Sequence, residues 1–433
     1  MNSKSILIGL NEINFDFLDD YIKQGHLKNF AKLLNESKVT ITKSESEYHL
    51  LEPWIQWVTI HTGKTYAEHN VYRLGDIVDK KDLSQIFEEL EKQGVSIGAV
   101  SPFNVDNRLK NPKFFIPDPW TKTKVSGNWF VKNLYKAIHQ SVNDNAQEKI
   151  SITSLLTLAY AFVFYAPLSK WPSYFSNIIN RKKPGSRAII LDNLLIDVFI
   201  KLWKKNKPDF TNIFLNSGAH IQHHYLLNSI SYKGNLKNPD WYCPEGYDPL
   251  LKILNVYDKF IGQILNLDKD LKIFIATGLH QKPPQKITFY WRLKQHESFI
   301  KEIGIDQYKE ILPRMSRDFL INFSNAEASQ KAEIILNSFK SSGDAQRIFN
   351  VDNRGTSLFV ELVYEKDIDD SMNIVSSISG QEVKNFKKYI SFVAIKNGEH
   401  DGIGYLTSNV ELNLAEEIEL KEVKDILKQE ILS

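Results

Sequence analysis

An α/β fold with a mostly parallel central sheet, helices on both faces and an inserted cap is what this 433-residue sequence predicts. Three observations predict it. Short apolar runs alternate with helix-spaced segments along most of the chain, the rhythm of repeated β–α units. The first of those runs, Ser5–Leu10, is continuously apolar rather than alternating, as a strand buried on both faces must be. The segment 102–182 interrupts the rhythm with Trp120, Trp129, Trp171 and several prolines, and reads as an insertion folded over the sheet.

Taken in order, the first strand is Ser5–Leu10. Residues 16–34 carry Phe17, Leu18, Tyr21, Ile22, Leu27, Phe30, Leu33 and Leu34 at helical spacing and predict one helix. A second strand covers 39–42. Pro53–Thr62 is a helix with proline in its first turn and Gly63 at its stop. Residues 82–92 are helical and lead into a strand over 95–100. Beyond the cap come a helix at 188–203, a strand at 211–215, a helix at 250–265 and a strand at 271–276. From Asp318 onward the texture is short strands (319–323, 357–363, 389–395), and a final amphipathic helix covers 414–432. The expected division is core 1–101, cap 102–185 and core 186–433.

Composition narrows the function. The chain is 42% hydrophobic and 24% charged, an ordinary globular balance. Fifty-four Lys and Arg against 52 Asp and Glu give a net charge of +2, so no nucleic-acid partner is expected. Cys243 stands alone, which excludes an intrachain disulfide and a cysteine metal cluster. Five apolar residues near the start are too few for a signal-peptide core, and the expected location is cytoplasmic. The uncharged run 150–169 has three readings: a buried or cap helix, a membrane-surface contact through 150–174 with Trp171 and Tyr174 as interfacial anchors, or a span. A span would put the two halves of one sheet on opposite sides of a membrane.

Ligands collect at the carboxyl ends of strands in such sheets, so the residues after each strand are the candidates. They are Asn11 and Glu12 after the first; Glu52, Trp54 and Gln56 at the helix beyond the second; Asn216, His220, His223 and His224 after 211–215; and His280 and Gln281 after 271–276. His400 lies near the C-terminus. Glu52, His220 and His280 are the candidate catalytic groups. Trp54, Gln56, Asn216, His224 and Gln281 are candidates for substrate contact, and Asn11, Glu12, His220 and His400 for a metal. Glu52 also suits a plain helix start, where a carboxylate accepts the first N–H groups and its pKa falls.

The opening segment through Gly25-His-Leu-Lys-Asn-Phe30, the stretch Trp57-Val-Thr-Ile-His-Thr62-Gly63 with Ala67-Glu-His69, and His220 and His400 resemble the type I phosphodiesterase/nucleotide pyrophosphatase branch of the alkaline phosphatase superfamily. The resemblance implies an alkaline-phosphatase-like core, divalent metal such as zinc or manganese, and a small phosphorylated or nucleotide- or sugar-linked substrate. Its first metal-binding Asp falls on Asn11, or on Glu12 one residue on. Its nucleophile falls at or beside Glu52, where no hydroxyl stands, and the Asp paired with His220 is Asn216. Three functions therefore stay open: a metal-dependent enzyme on a phosphate or sulfate ester, a metal-free transferase or hydrolase on a sugar- or lipid-linked substrate, and a non-catalytic binding protein.

Overall fold

The computed structural model describes residues 4–35, 37–143, 159–160, 162–314 and 317–433. They form two compact units, one built from 1–283 and 397–433 and the other from 284–396.

The first unit is organised by an eight-stranded sheet. Six strands are β1 (Ser5–Leu10), β2 (Thr40–Lys43), β3 (Ile97–Val100), β4 (Phe114–Ile116), β5 (Phe210–Leu215) and β6 (Lys272–Ala276). The order across the sheet is Glu417–Glu419, β2, Ile403–Ser408, β6, β1, β5, β3, β4. β1 pairs parallel with both β5 and β6, and β3 parallel with β4 and β5. Only Ile403–Ser408 runs against its neighbours, antiparallel to β2 and to β6. The expected mostly parallel sheet is what forms. β4 comes from inside the 102–185 stretch and supplies the sheet's edge.

Alternation along the central strands sorts side chains onto two faces. Ile6, Ile8, Ile213, Leu215, Ile273 and Ile275 pack with Phe199, Leu254 and Phe260 on one face. Leu7, Phe210, Phe214 and Phe274 pack with Trp57, Phe87 and Leu427 on the other. Both faces are covered, which is why these strands read as continuous apolar runs.

Two helices depart from the sequence reading. Residues 16–34 form α1 (Phe15–Lys23) and α2 (Lys28–Asn35), not one helix. Gly25 turns left-handed between them, with φ of 86°. The Asp258 carboxylate then accepts the N–H groups of Asn29 (2.8 Å) and Phe30 (2.9 Å), starting a new helix from a distant residue. At the C-terminus, 414–432 divides into a strand, Glu417–Glu419, and a helix, Val423–Leu432. Buried Ile418 between two exposed glutamates has the period of a strand. The helix Pro53–Thr62 (α3), stopped by Gly63 at φ 67°, forms as read.

Of the uncharged run, 150–158 and 161 lie outside the described residues. Among the described residues no helix is long and apolar enough to cross a membrane. Of the two expected anchors, Tyr174 faces inward and Trp171 is half-buried. Tyr174 is buried and donates its hydroxyl to Asp197 at 2.8 Å, while Trp171 donates its indole N–H to the Ala166 carbonyl at 3.3 Å.

The second unit has its own core, around Trp291, Phe299, Phe319, Leu336, Phe349 and Phe386. A four-stranded antiparallel sheet runs in the order Phe349–Asn353, Ser357–Leu362, Asp318–Asn322, Glu310–Pro313. Thr288–Leu293 and Ile390–Lys396 form a separate antiparallel pair.

Stability should respond measurably at two buried positions. A Cβ on Gly9 of β1 would lie 2.7 Å from the Trp57 ring and 2.9 Å from Phe214, both held in the core. Gly9→Ala is expected to cost about 1–3 kcal/mol, read as a lower urea midpoint at unchanged slope. Asp192, on the helix Ser186–Asn206, accepts from the Tyr257 hydroxyl (2.6 Å) and the Ser217 N–H (3.1 Å), and burial pushes its pKa up to about 6. The native state holds this proton more tightly than the unfolded chain, so the Asp192 contribution to stability falls as pH rises from about 4 to about 6. Asp192→Asn keeps an acceptor and removes that slope. The wild-type stability minus the variant's should fall by up to about 3 kcal/mol across this window, and a flat difference would refute it.

Candidate metal centre

β1 ends at Leu10, in register with Leu215 of β5. One residue on, Asn11 and Asn216 therefore stand side by side, and the Asn11 amide donates to the Asn216 Oδ1 at 2.7 Å. The same amide donates to Glu12 Oε1 at 2.9 Å, and the Asn11 oxygen accepts the Trp57 indole N–H at 2.9 Å. Asn11, expected as a ligand, is thus a clamp on Glu12 whose own oxygen is already engaged.

Glu12 is 2% exposed and sits in the left-handed region at φ 58°. That conformation costs a non-glycine residue roughly 1–3 kcal/mol and persists only where the surroundings impose it. Here the Glu12 N–H donates to the Thr277 carbonyl at 3.1 Å, and its own carbonyl accepts from Gln222 Nε2 (2.7 Å) and the Gln281 N–H (3.2 Å). The turn aims the carboxylate at two imidazoles. Glu12 Oε2 lies 3.0 Å from His223 Nε2 and 3.2 Å from His400 Nε2, and the two Nε2 atoms are 3.3 Å apart. The buried Gln281 amide also donates to Oε2.

Two local patterns decide which histidines arrive. The strand His280–Lys282 pairs antiparallel with Glu399–Asp401, His400 opposite Gln281 and Asp401 opposite His280. Paired residues share a face and successive ones alternate, so Gln281 and His400 face Glu12 together and His280 faces away. The His280 Nδ1–H donates to the Ile403 carbonyl at 2.8 Å, and its ring stacks on Tyr405. His280 is not part of the site. On the helix Ser217–Tyr225, His223 is the residue that reaches Glu12. His220, expected as ligand and catalytic group, is exposed and packs on His224 with ring centroids 4.4 Å apart. His224 is engaged with the Tyr242 hydroxyl at 3.3 Å.

The helix α3 contributes differently from its sequence reading. Glu52 does not cap it; the first N–H bonds go to the Glu52 backbone carbonyl, from Ile55 (2.9 Å) and Gln56 (3.1 Å). The side chain turns toward His400, with Oε2 3.9 Å from Nδ1. Burial and the neighbouring Glu12 charge raise the Glu52 pKa against the pull of His400 and His223, the reverse of the expected lowering. Trp54 gives its indole N–H to the Tyr72 carbonyl, and Gln56 gives its amide to the Leu50 carbonyl. Thr59 and Thr62 are buried with their hydroxyls bonded to the Ile55 and Val58 carbonyls within the helix. Trp57 and Gln222, the buried residues that steady Asn11 and the Glu12 backbone, were not among the expected site residues. The sequence signal for Trp57 is the family-like stretch that it begins; Gln222 has none.

Electrostatically the three groups support one another. Burial alone would raise the Glu12 pKa, but the His400 and His223 charges and hydrogen bonds hold it well below the carboxylate range. Burial would lower that of His400, and Glu12, Glu52 and a bond to the Leu51 backbone raise it instead. Among the described residues, Glu12, His223 and His400 are the group of potential ligands whose atoms all lie within 4.8 Å of one another. Ligand atoms about 2.0–2.2 Å from a tetrahedral zinc stand roughly 3.3–3.6 Å apart, close to the spacing seen. Two imidazoles and one carboxylate are also the donor set of open catalytic zinc sites. The residues fit a divalent ion.

No family model matches the sequence, and no curated protein matches it. Solved structures do. Phosphonoacetate hydrolase from Sinorhizobium meliloti is similar at 10% identity and a TM-score of 0.43, over 100% of this chain and 95% of that one. Murine ectonucleotide pyrophosphatase/phosphodiesterase 5 is similar at 9% identity and 0.45, over 99% and 95%. Wild-type alkaline phosphatase PafA is similar at 12% identity and 0.44, over 99% and 96%. At these values the likeness carries no conclusion about this chain's chemistry.

Proposed function

We propose that this chain hydrolyses or transfers a phosphate or sulfate ester at one divalent-metal site held by Glu12, His223 and His400. The observation that carries the reading is the convergence of one buried carboxylate and two Nε2 atoms at 3.0–3.3 Å from one another. A bound zinc or manganese ion would supply Lewis acidity toward an ester oxygen and lower the pKa of water there. The protein's own part is orientation and proton handling. Asn11 and Gln281 fix the Glu12 carboxylate, Gln222 holds the Glu12 backbone carbonyl, and the Leu51 backbone fixes the His400 ring. Glu52 is the second carboxyl beside this group, tied to neither the helix cap nor the ligand set, and is placed to pass a proton to or from the reacting ester. Its substrate is a small phosphorylated molecule, nucleotide- and sugar-linked esters included.

Zinc or manganese titrated into the purified protein should bind one ion, and Glu12→Gln, His223→Ala and His400→Ala should each abolish that binding. Asn11→Ala, which touches only the outer contacts, should weaken it by roughly 10–100-fold. Turnover of a 4-nitrophenyl phosphate or sulfate ester should stop with chelator and return with metal. Full turnover in chelator would establish the metal-free reading instead.

Glu52→Gln should keep the metal and lose roughly 10²-fold or more in turnover. With Thr59 and Thr62 bonded inside their helix, no phosphothreonine should be trapped from labelled substrate. Label on either residue, or unchanged turnover in Glu52→Gln, would overturn the assignment.

A further inference from the structure

Seven of the seventeen large apolar side chains exposed among the described residues fall within 160–179. Singly scattered apolar residues are normal on a surface; a concentration of this kind marks a contact. The helix Trp171–Ile179 shows how it is built. Tyr174 points inward to Asp197, which leaves Phe175 (49% exposed), Ile178 (45%) and Ile179 (81%) at i, i+3 and i+4 on the outer side. Rings join this face to the preceding segment through Phe162, which packs on Trp171 and Phe175, and Leu168 is 77% exposed nearby in sequence.

The charge around this face selects the partner. Arg181, Lys182 and Lys183 come directly after the helix, and Arg187 lies at the start of the next; all four are exposed and none is in an ion pair among the described residues. The same region lines a cavity of about 970 Å³ that has Phe164 and Leu168 on its wall. Its charged lining is Lys170, Lys201, Lys204 and Lys259 against Asp197 alone. A net charge of +2 for the whole chain makes this a local concentration. We propose that the surface formed by 162–187 docks on an anionic phospholipid bilayer, its apolar side chains entering the headgroup region and its basic flank and cavity meeting lipid phosphates. A basic rim beside an exposed amphipathic helix face is the composition such contacts need. The contact is peripheral and uses Phe175, Ile178 and Ile179, not Trp171 and Tyr174.

Cosedimentation with vesicles of phosphatidylcholine containing about a third phosphatidylglycerol tests it, with pure phosphatidylcholine as the comparison. The protein should bind the anionic vesicles and bind the neutral ones far less. Lys182→Glu with Lys183→Glu should weaken binding roughly tenfold or more. Phe175→Ser, Ile178→Ser and Ile179→Ser together should abolish it while leaving the melting temperature and metal binding unchanged. Sedimentation of that triple variant equal to wild type would overturn the proposal. So would a wild-type dimer that the triple variant dissolves while neither binds vesicles, because the face would then serve a second copy of this chain.

Discussion

Everything at the site depends on one residue held in an unfavourable backbone conformation. Glu12 leaves β1 in the left-handed region, and three hydrogen bonds of its backbone, one given to the Thr277 carbonyl and two accepted from Gln222 and Gln281, keep it there. Without that turn the carboxylate would continue along the strand direction and miss both imidazoles. The strain is small beside the stability of a sheet whose central strand is completely buried. Asn11 links it to the rest: its amide spans Glu12 and Asn216, and its oxygen takes the Trp57 indole, so β1, β5 and α3 meet at one side chain.

Topology supplies the second half of the site. Seven strands of the sheet point one way and Ile403–Ser408 points the other. A reversed strand begins where its neighbours end, so the residues before it arrive at their carboxyl ends. This is how His400 meets Glu12 across nearly the full length of the chain. The short pair of Glu399–Asp401 with His280–Lys282 then sets which side chains face inward.

Much of this was legible in the sequence. Continuous apolar runs marked β1, β5 and β6, and the residues just past their carboxyl ends include Glu12, Asn216 and Gln281. Where the structure differs from the sequence reading, the causes lie in periodicity and in distant contacts. Of the two neighbours His280 and Gln281, both read as candidates, the strand turns Gln281 to Glu12 and His280 away, because period two inverts the facing side chain. That His223 and not His220 meets Glu12 depends on a helical phase that three clustered histidines do not reveal. The break between α1 and α2 is helped by Asp258, more than two hundred residues away, and no local pattern contains it.

Glu52 shows why a residue's place on an element does not determine its role. An acidic residue before a proline at a helix start suggests a cap, and a capping carboxylate would be held low by the N–H groups it accepts. Here the Glu52 carbonyl takes those bonds, so the side chain has no helical partner and is free to turn to the site. There it meets burial and the charge of Glu12, and both raise its pKa, while His400 opposes them. The two carboxyls are thus driven apart by their surroundings, Glu12 down and Glu52 up. A carboxylate that stays charged suits a cation, and one that holds a proton more readily suits acid–base work. Under the proposed function, two acids in one site, pushed in opposite directions, divide those tasks without a change of residue type.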